Sequence, residues 1–172
     1  MAQPFIVTAE LPRAVFAWAD ALRTAHFPPE RNHLAAHVTL FHAFAPSLRE
    51  ELIGMLGGIA AEHAPPPARI EGLMNLGGGT ALAIRSPEML AIREAIAERF
   101  HGALTAQDSH PPRLHITVQN KVSPEAARAL QRELEAALVP RDFAFTGLGL
   151  HLYLGPKWRA QGIWKFRGHG HG

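Results

Sequence analysis

The 172-residue chain contains no cysteine, which excludes disulfides, thiolate metal centres and a cysteine nucleophile together. It also has little net charge, 17 Lys and Arg against 15 Asp and Glu for a formal +2, and a field that weak does not coat duplex DNA. No apolar run approaches the ~20 residues of a membrane helix, and Met1 to Glu10 lacks the basic start and apolar stretch of a secretory leader. A soluble, cytoplasmic protein is expected. What is left for chemistry near neutral pH is histidine, of which there are 11. With 47% hydrophobic and 19% charged residues, the composition suits one globular domain with a core that needs no staples. We expect that domain over 1–167, with the low-complexity Gly-His-Gly-His-Gly ending at 168–172 as a flexible tail.

Local patterns order the chain. Phe5 to Ala9 reads as a strand, and Val15, Trp18, Ala19 and Leu22 recur at helical spacing after Pro12. Pro28-Pro29 ends that helix, and Ala36 to Phe44 is β-rich. Ser47 and Glu50 have capping-box spacing before an apolar face of Leu48, Leu52, Ile53, Leu56 and Ile59. Arg69 to Leu76 and Thr80 to Arg85 flank Gly77-Gly78-Gly79 as a hairpin; no Lys-Ser pair follows, which favours a turn over a phosphate loop. Ser86-Pro87-Glu88 and Ser123-Pro124-Glu125 each open a helix, with Arg113 to Asn120 a strand between them. Phe143 to Phe166 closes with two or three strands. The order β-α-β-α-β-β-α-β-α-β-β predicts an α+β fold with mixed or antiparallel sheets and outer helices.

Two segments repeat a pattern: His37-Val38-Thr39-Leu40 and, 78 residues later, His115-Ile116-Thr117-Val118. Side chains alternate along a strand, so each segment turns an imidazole and a hydroxyl to one face. A serine that opens a leucine-rich helix follows each, Ser47 and Ser123, which suggests two related halves around a pseudo-twofold cleft. Two imidazoles across a gap can act as general base and general acid, and two threonine hydroxyls can donate to phosphate oxygens. In-line phosphodiester cleavage needs that set and no metal.

These paired motifs resemble those of the two-histidine (2H) phosphoesterase superfamily, in particular its 2′-5′ RNA ligase-like and cyclic phosphodiesterase branch, over most of the chain from Phe5 to Phe166. The resemblance implies two pseudo-symmetric lobes around a central cleft, with His37 and His115 as the acid and base pair and Thr39 and Thr117 as phosphate binders. It implies hydrolysis of 2′,3′-cyclic phosphates of RNA ends or nucleotides to a 2′-phosphate, with 2′-5′ ligation as a companion activity. The first motif departs from the ligase branch by continuing as Phe41-His42-Ala43-Phe44. RNA or a cyclic nucleotide is then the partner, with no cofactor, no metal, no membrane and no obligate protein partner, in a monomer.

Further residues are candidates by position. Arg113 shares strand parity with His115 and could neutralise a phosphate; Phe41 shares parity with His37 and could wall the cleft. Tyr153, Lys157, Trp158 and Trp164 could form a base-stacking platform. His42 and His151 receive no role. Two rival readings stand beside the enzyme: a non-catalytic RNA- or nucleotide-binding module using the same cleft, and a metal-dependent hydrolase with His33, His37 and His42 as ligands. The second needs a helix across a β-rich segment and lacks a nearby carboxylate.

Overall fold

The structure is a computed structural model, and it describes residues 3–169. The first strand, β1 (Phe5–Glu10), is followed by α1 (Arg13–His26), which begins after Pro12 and buries Val15, Ala19 and Arg23 along one i, i+4 stripe. Next come β2 (Val38–Phe44) and α2 (Arg49–Glu62), then the hairpin β3 (Pro67–Asn75) and β4 (Thr80–Arg85). The chain continues through α3 (Pro87–Arg99), β5 (His115–Gln119) and α4 (Pro124–Ala137), and ends in β6 (Arg141–Ala144), β7 (Gly147–Tyr153) and β8 (Trp158–Lys165).

Among the described residues the eight strands form two antiparallel sheets, ordered β2-β1-β7-β8 and β5-β4-β3-β6. The fold is α+β with two lobes, as expected, but the closing segment is split between them: β6 completes the second sheet and β7-β8 return to the first. Each motif lies on an edge strand, β2 in one sheet and β5 in the other, and these two edges touch. Helix α2 packs on β7 and β8, while α3 and α4 cover the second sheet. Helix α1 crosses from the first sheet to lie against β5 of the second. One core runs through both lobes, with Val38, Leu40, Phe44, Leu82, Ile116, Val118 and Leu148 among its enclosed members.

The local signals meet mixed fates. Ser86 and Ser123 cap their helices, accepting from the Met89 and Ala126 amides at 3.2 and 3.1 Å. The capping box at Ser47 does not form, because Pro46 opens a 3-10 turn that carries the chain into α2 with Leu48 at the cap position. The triple glycine is a hairpin turn closed by Leu76 N–H on the Gly79 carbonyl at 3.0 Å, with Gly77 in the left-handed region at φ 83°. Of the expected tail, the Gly168 amide donates to the His63 carbonyl at 3.0 Å, and 170–172 lie outside the described residues.

Candidate active site

His37 stands immediately before β2 and His115 opens β5. Their rings are held alike: Nδ1 of His37 bonds the Ala35 carbonyl at 2.8 Å, and Nδ1 of His115 bonds the Arg113 carbonyl at 2.7 Å. A carbonyl oxygen only accepts, so Nδ1 carries the proton in both rings and Nε2 is the nitrogen each presents to a ligand. The two motifs are thus matched in tautomer as well as in sequence. Thr39 and Thr117 follow two positions on, half-buried on the same faces.

The neighbouring strands make the two halves unequal. Beside the second motif, β4 places Ala83 opposite His115 and Ala81 opposite Thr117. Beside the first, β1 places Thr8 opposite Thr39 and, two residues along the same face, Glu10; β7 adds Gly149 and His151. The Thr8 hydroxyl lies 3.0 Å from His151 Nε2 and donates to Glu10 Oε1 at 3.3 Å. Glycine at 149 leaves room for this cluster as it stands: a Cβ there would lie 2.6 Å from Thr8 Oγ1 and overlap Glu10 Oε1, so those side chains would have to shift. Burial raises the Glu10 carboxyl and lowers the His151 imidazole from their ordinary values.

Trp158 packs edge-on to His37, with ring centroids 4.7 Å apart, and lies 5.7 Å from His151. Enclosure is the main reason that the His37 pKa falls from 6.5 to about 4; Arg23, His151 and His115 push the same way, and the hydrogen bond to Ala35 opposes them. His37 is therefore a neutral imidazole near pH 7. It borders a cavity of about 380 Å3 whose walls include Phe16, Leu34, Lys157 and Trp158, with Glu10 and His151 among its polar groups.

Several sequence candidates are placed differently. Phe41, expected to wall the cleft, is 0% exposed and belongs to the core, under the Arg93 guanidinium at 4.1 Å and beside Phe44. The reason is a β-bulge: Thr8 pairs with Thr39 but Val7 with Phe41, so Leu40 is an extra residue and the alternation of faces ends there. Trp164 packs on the core beside Gly57 and Gly162, away from any platform. Tyr153 is exposed at the end of β7, opposite Trp158 in the strand register. Arg113 is exposed and supplies the carbonyl that orients His115.

No helix spans His33 to His37, so the i, i+4 pair required by the metal reading is not formed. Among the described residues no group of three or more His, Asp or Glu side chains is arranged to hold a metal ion. His42 turns instead to Asp108, whose side chain is 1% exposed and which accepts from the His42 and Ala43 amides at 2.9 and 3.0 Å and bonds His42 Nδ1 at 3.1 Å. Those amides lie in the irregular part of the β2 edge, where the sheet offers them no partner strand. Arg93 completes the brace with bonds to the Leu40 and Asp108 carbonyls.

Sequence reasoning missed Thr8, Glu10, His151, Asp20, Arg23 and Asp108. Thr8 and Glu10 alone left a trace, as alternate polar residues on an otherwise apolar strand. Asp20 accepts the Ala36 amide at 2.9 Å, and Arg23 donates to the Thr117 carbonyl at 3.0 Å.

Two sheets whose edge strands meet, each edge carrying a His-x-Thr motif, fit the two-histidine phosphoesterase superfamily that the sequence resembles. The chain belongs to the 2′-5′ RNA ligase superfamily, whose family model matches residues 11–157. Among solved structures, TT0787 of Thermus thermophilus is similar at a TM-score of 0.68 and 16% identity, over 97% of this chain and 100% of that one. LigT of E. coli complexed with NADP+ is similar at 0.62 and 17%, over 96% and 99%, and its complex with 3′-AMP at 0.58 and 18%, over 96% and 99%. No curated protein sequence matches the chain significantly. Among the described residues no helix is long and apolar enough to cross a membrane.

Proposed function

We propose that this chain hydrolyses 2′,3′-cyclic phosphates at RNA ends or on nucleotides to 2′-phosphates, without a metal, using His37 as general base and His115 as general acid. The observation that carries this reading is the matched pinning of both Nδ1 atoms, which leaves two Nε2 atoms to work on a phosphate between the edge strands. His37, neutral through burial, takes a proton from water as the water oxygen bonds to phosphorus. The bond from phosphorus to O3′ breaks, and His115, entering the step as the doubly protonated imidazolium with Nδ1–H still on the Arg113 carbonyl, gives its Nε2 proton to O3′. The Thr39 and Thr117 hydroxyls donate to the non-bridging oxygens as charge accumulates there. The histidines then exchange protons with solvent to reset. A 5′-hydroxyl in place of water gives 2′-5′ joined RNA by the same transfers.

The nucleoside next to the phosphate lies in the cavity beside His37, against Trp158, with Tyr153 and Arg113 at the rims of the two motifs. The nucleotide complexes of E. coli LigT support a nucleotide-sized ligand for this fold. One chain carries both motifs, which supports a monomer, and we place it in the cytoplasm.

The test is turnover of 2′,3′-cyclic nucleotides and of a short RNA ending in that group, with EDTA present, by wild type, His37→Ala and His115→Ala. Turnover that drops roughly 10²–10⁴-fold in both variants is expected. Nucleotide binding by folded wild type without turnover would refute the enzyme and leave a binding module. Loss with EDTA, restored by a divalent metal, would refute the metal-free mechanism.

A further inference from the structure

Helix α1 bonds with one side the backbone just before the first motif and within the second. Asp20 and Arg23 are three residues apart and so are neighbours on the helix surface. Asp20 Oδ1 accepts the N–H of Ala36, the residue before His37, at 2.9 Å. Arg23, 4% exposed, donates through Nη1 to the carbonyl of Thr117 at 3.0 Å and through Nε to Asn32 Oδ1 at 2.7 Å. Its guanidinium also lies over the Phe27 ring at 4.2 Å. β5 is a sheet edge, so its outward carbonyls have no strand to bond, and Arg23 fills that role for the one between His115 and the end of the strand. A buried cation with a fixed fork is costly to hold unless its partners are placed for it.

We propose that Asp20 and Arg23 are the positioning residues of this site: α1 is a spacer that grips one motif with each side chain and sets how His37 and His115 face each other. The inference rests on the reading of the two histidines as a working pair. Neither side chain needs to touch substrate to act this way. Coupling two sheet edges through one rigid helix also explains why α1 leaves its own sheet to pack on β5. Arg23 has a second consequence, since its charge behind the cleft disfavours a proton on His37. The other groups that face His37 are His115 of β5 and His151 of β7, with Glu10 of β1, His33 and Lys157 on the same cavity. Asp20 favours the charge on Arg23 itself, and Arg23 remains the cation that acts on the His37 ring.

The experiment compares wild type with Arg23→Met, Arg23→Lys, Asp20→Asn and Asp20→Ala. It reads kcat and KM on a 2′,3′-cyclic nucleotide and the NMR titration midpoint of the His37 ring. Arg23→Met is expected to lower kcat by about 100-fold with KM within about threefold, as misplacement of a catalytic group by ~1 Å does, and to raise the His37 midpoint by at least ~0.5 unit. Arg23→Lys keeps the charge and loses the fork, so the midpoint holds while kcat still falls. Asp20→Asn retains an acceptor for Ala36 and stays within a few-fold of wild type, whereas Asp20→Ala loses about tenfold. Folded Arg23→Met or Arg23→Lys with wild-type kcat would overturn the proposal. So would a loss of thermal stability with kcat and the His37 midpoint both unmoved in the folded variants. Absence of turnover in wild type itself would refute the functional reading instead; the midpoint then decides, and one unmoved in Arg23→Met overturns the positioning role.

Discussion

The enclosed His37 ring makes a stability prediction that can be worked through. Its pKa lies at about 4 in the folded protein against 6.5 when unfolded. Between those values the unfolded chain binds a proton that the folded chain does not, so stability falls as pH falls through that window and is fully present above it. Each bound proton contributes a slope of about 1.4 kcal/mol per pH unit. Between pH 7 and about pH 4.5 His37 should therefore withdraw about 2 kcal/mol of folding stability. Glu10 and Asp108 also titrate in acid, so the useful quantity is the difference between wild type and His37→Gln, in which contributions common to both cancel. Urea unfolding followed by tryptophan fluorescence at the two pH values gives that difference. Wild type should lose about 2 kcal/mol more than the variant on acidification. Equal losses, or an imidazole titration near 6.5, would refute the claim that His37 is held neutral by its surroundings, and with it the assignment of His37 as the base.

Asp108→Ala should destabilise the protein by roughly 3 kcal/mol in thermal or urea unfolding, because it strands the amides of the β2 bulge and breaks the brace to α3. In wild type the Asp108 carboxyl lies below its ordinary value, so its contribution is present above the unfolded carboxylate pKa and lost as pH falls through the lower folded one. An unchanged midpoint in Asp108→Ala would show that solvent serves those amides as well. Gly79→Ala should cost roughly 1–3 kcal/mol, since a Cβ would overlap the Gln119 carbonyl and lie 2.7 Å from the Asn120 Cα; differential unfolding against Gly54→Ala, where a Cβ meets open space, checks it. Thr39→Val and Thr117→Val should each lower kcat about 10- to 100-fold, less than loss of either histidine, in steady-state assays on a cyclic nucleotide.

The two His-x-Thr motifs were legible because their information is local: a period of two puts an imidazole and a hydroxyl on one face of any strand. The Ser-Pro-Glu helix starts at Ser86 and Ser123 were legible for the same reason, as caps depend on residues two or three positions apart. The same logic failed at Phe41, because a bulge is set by the partner strand, and at Ser47, where Pro46 imposed a tighter turn. Local pattern by itself determined the element order and the two faces that each carry an imidazole and a hydroxyl. Tertiary structure decided everything that joins distant segments: β7 bringing His151 to Thr8, Trp158 packing on His37, and α1 bonding the residue before His37 and Thr117 of β5. Those contacts span up to 143 positions and follow from strand order and helix crossing, quantities that no short window of sequence encodes. The difference between the two His-x-Thr motifs is of this kind: alanines lie beside His115, whereas burial, with the Arg23 guanidinium acting the same way, keeps the His37 ring free of its proton at neutral pH.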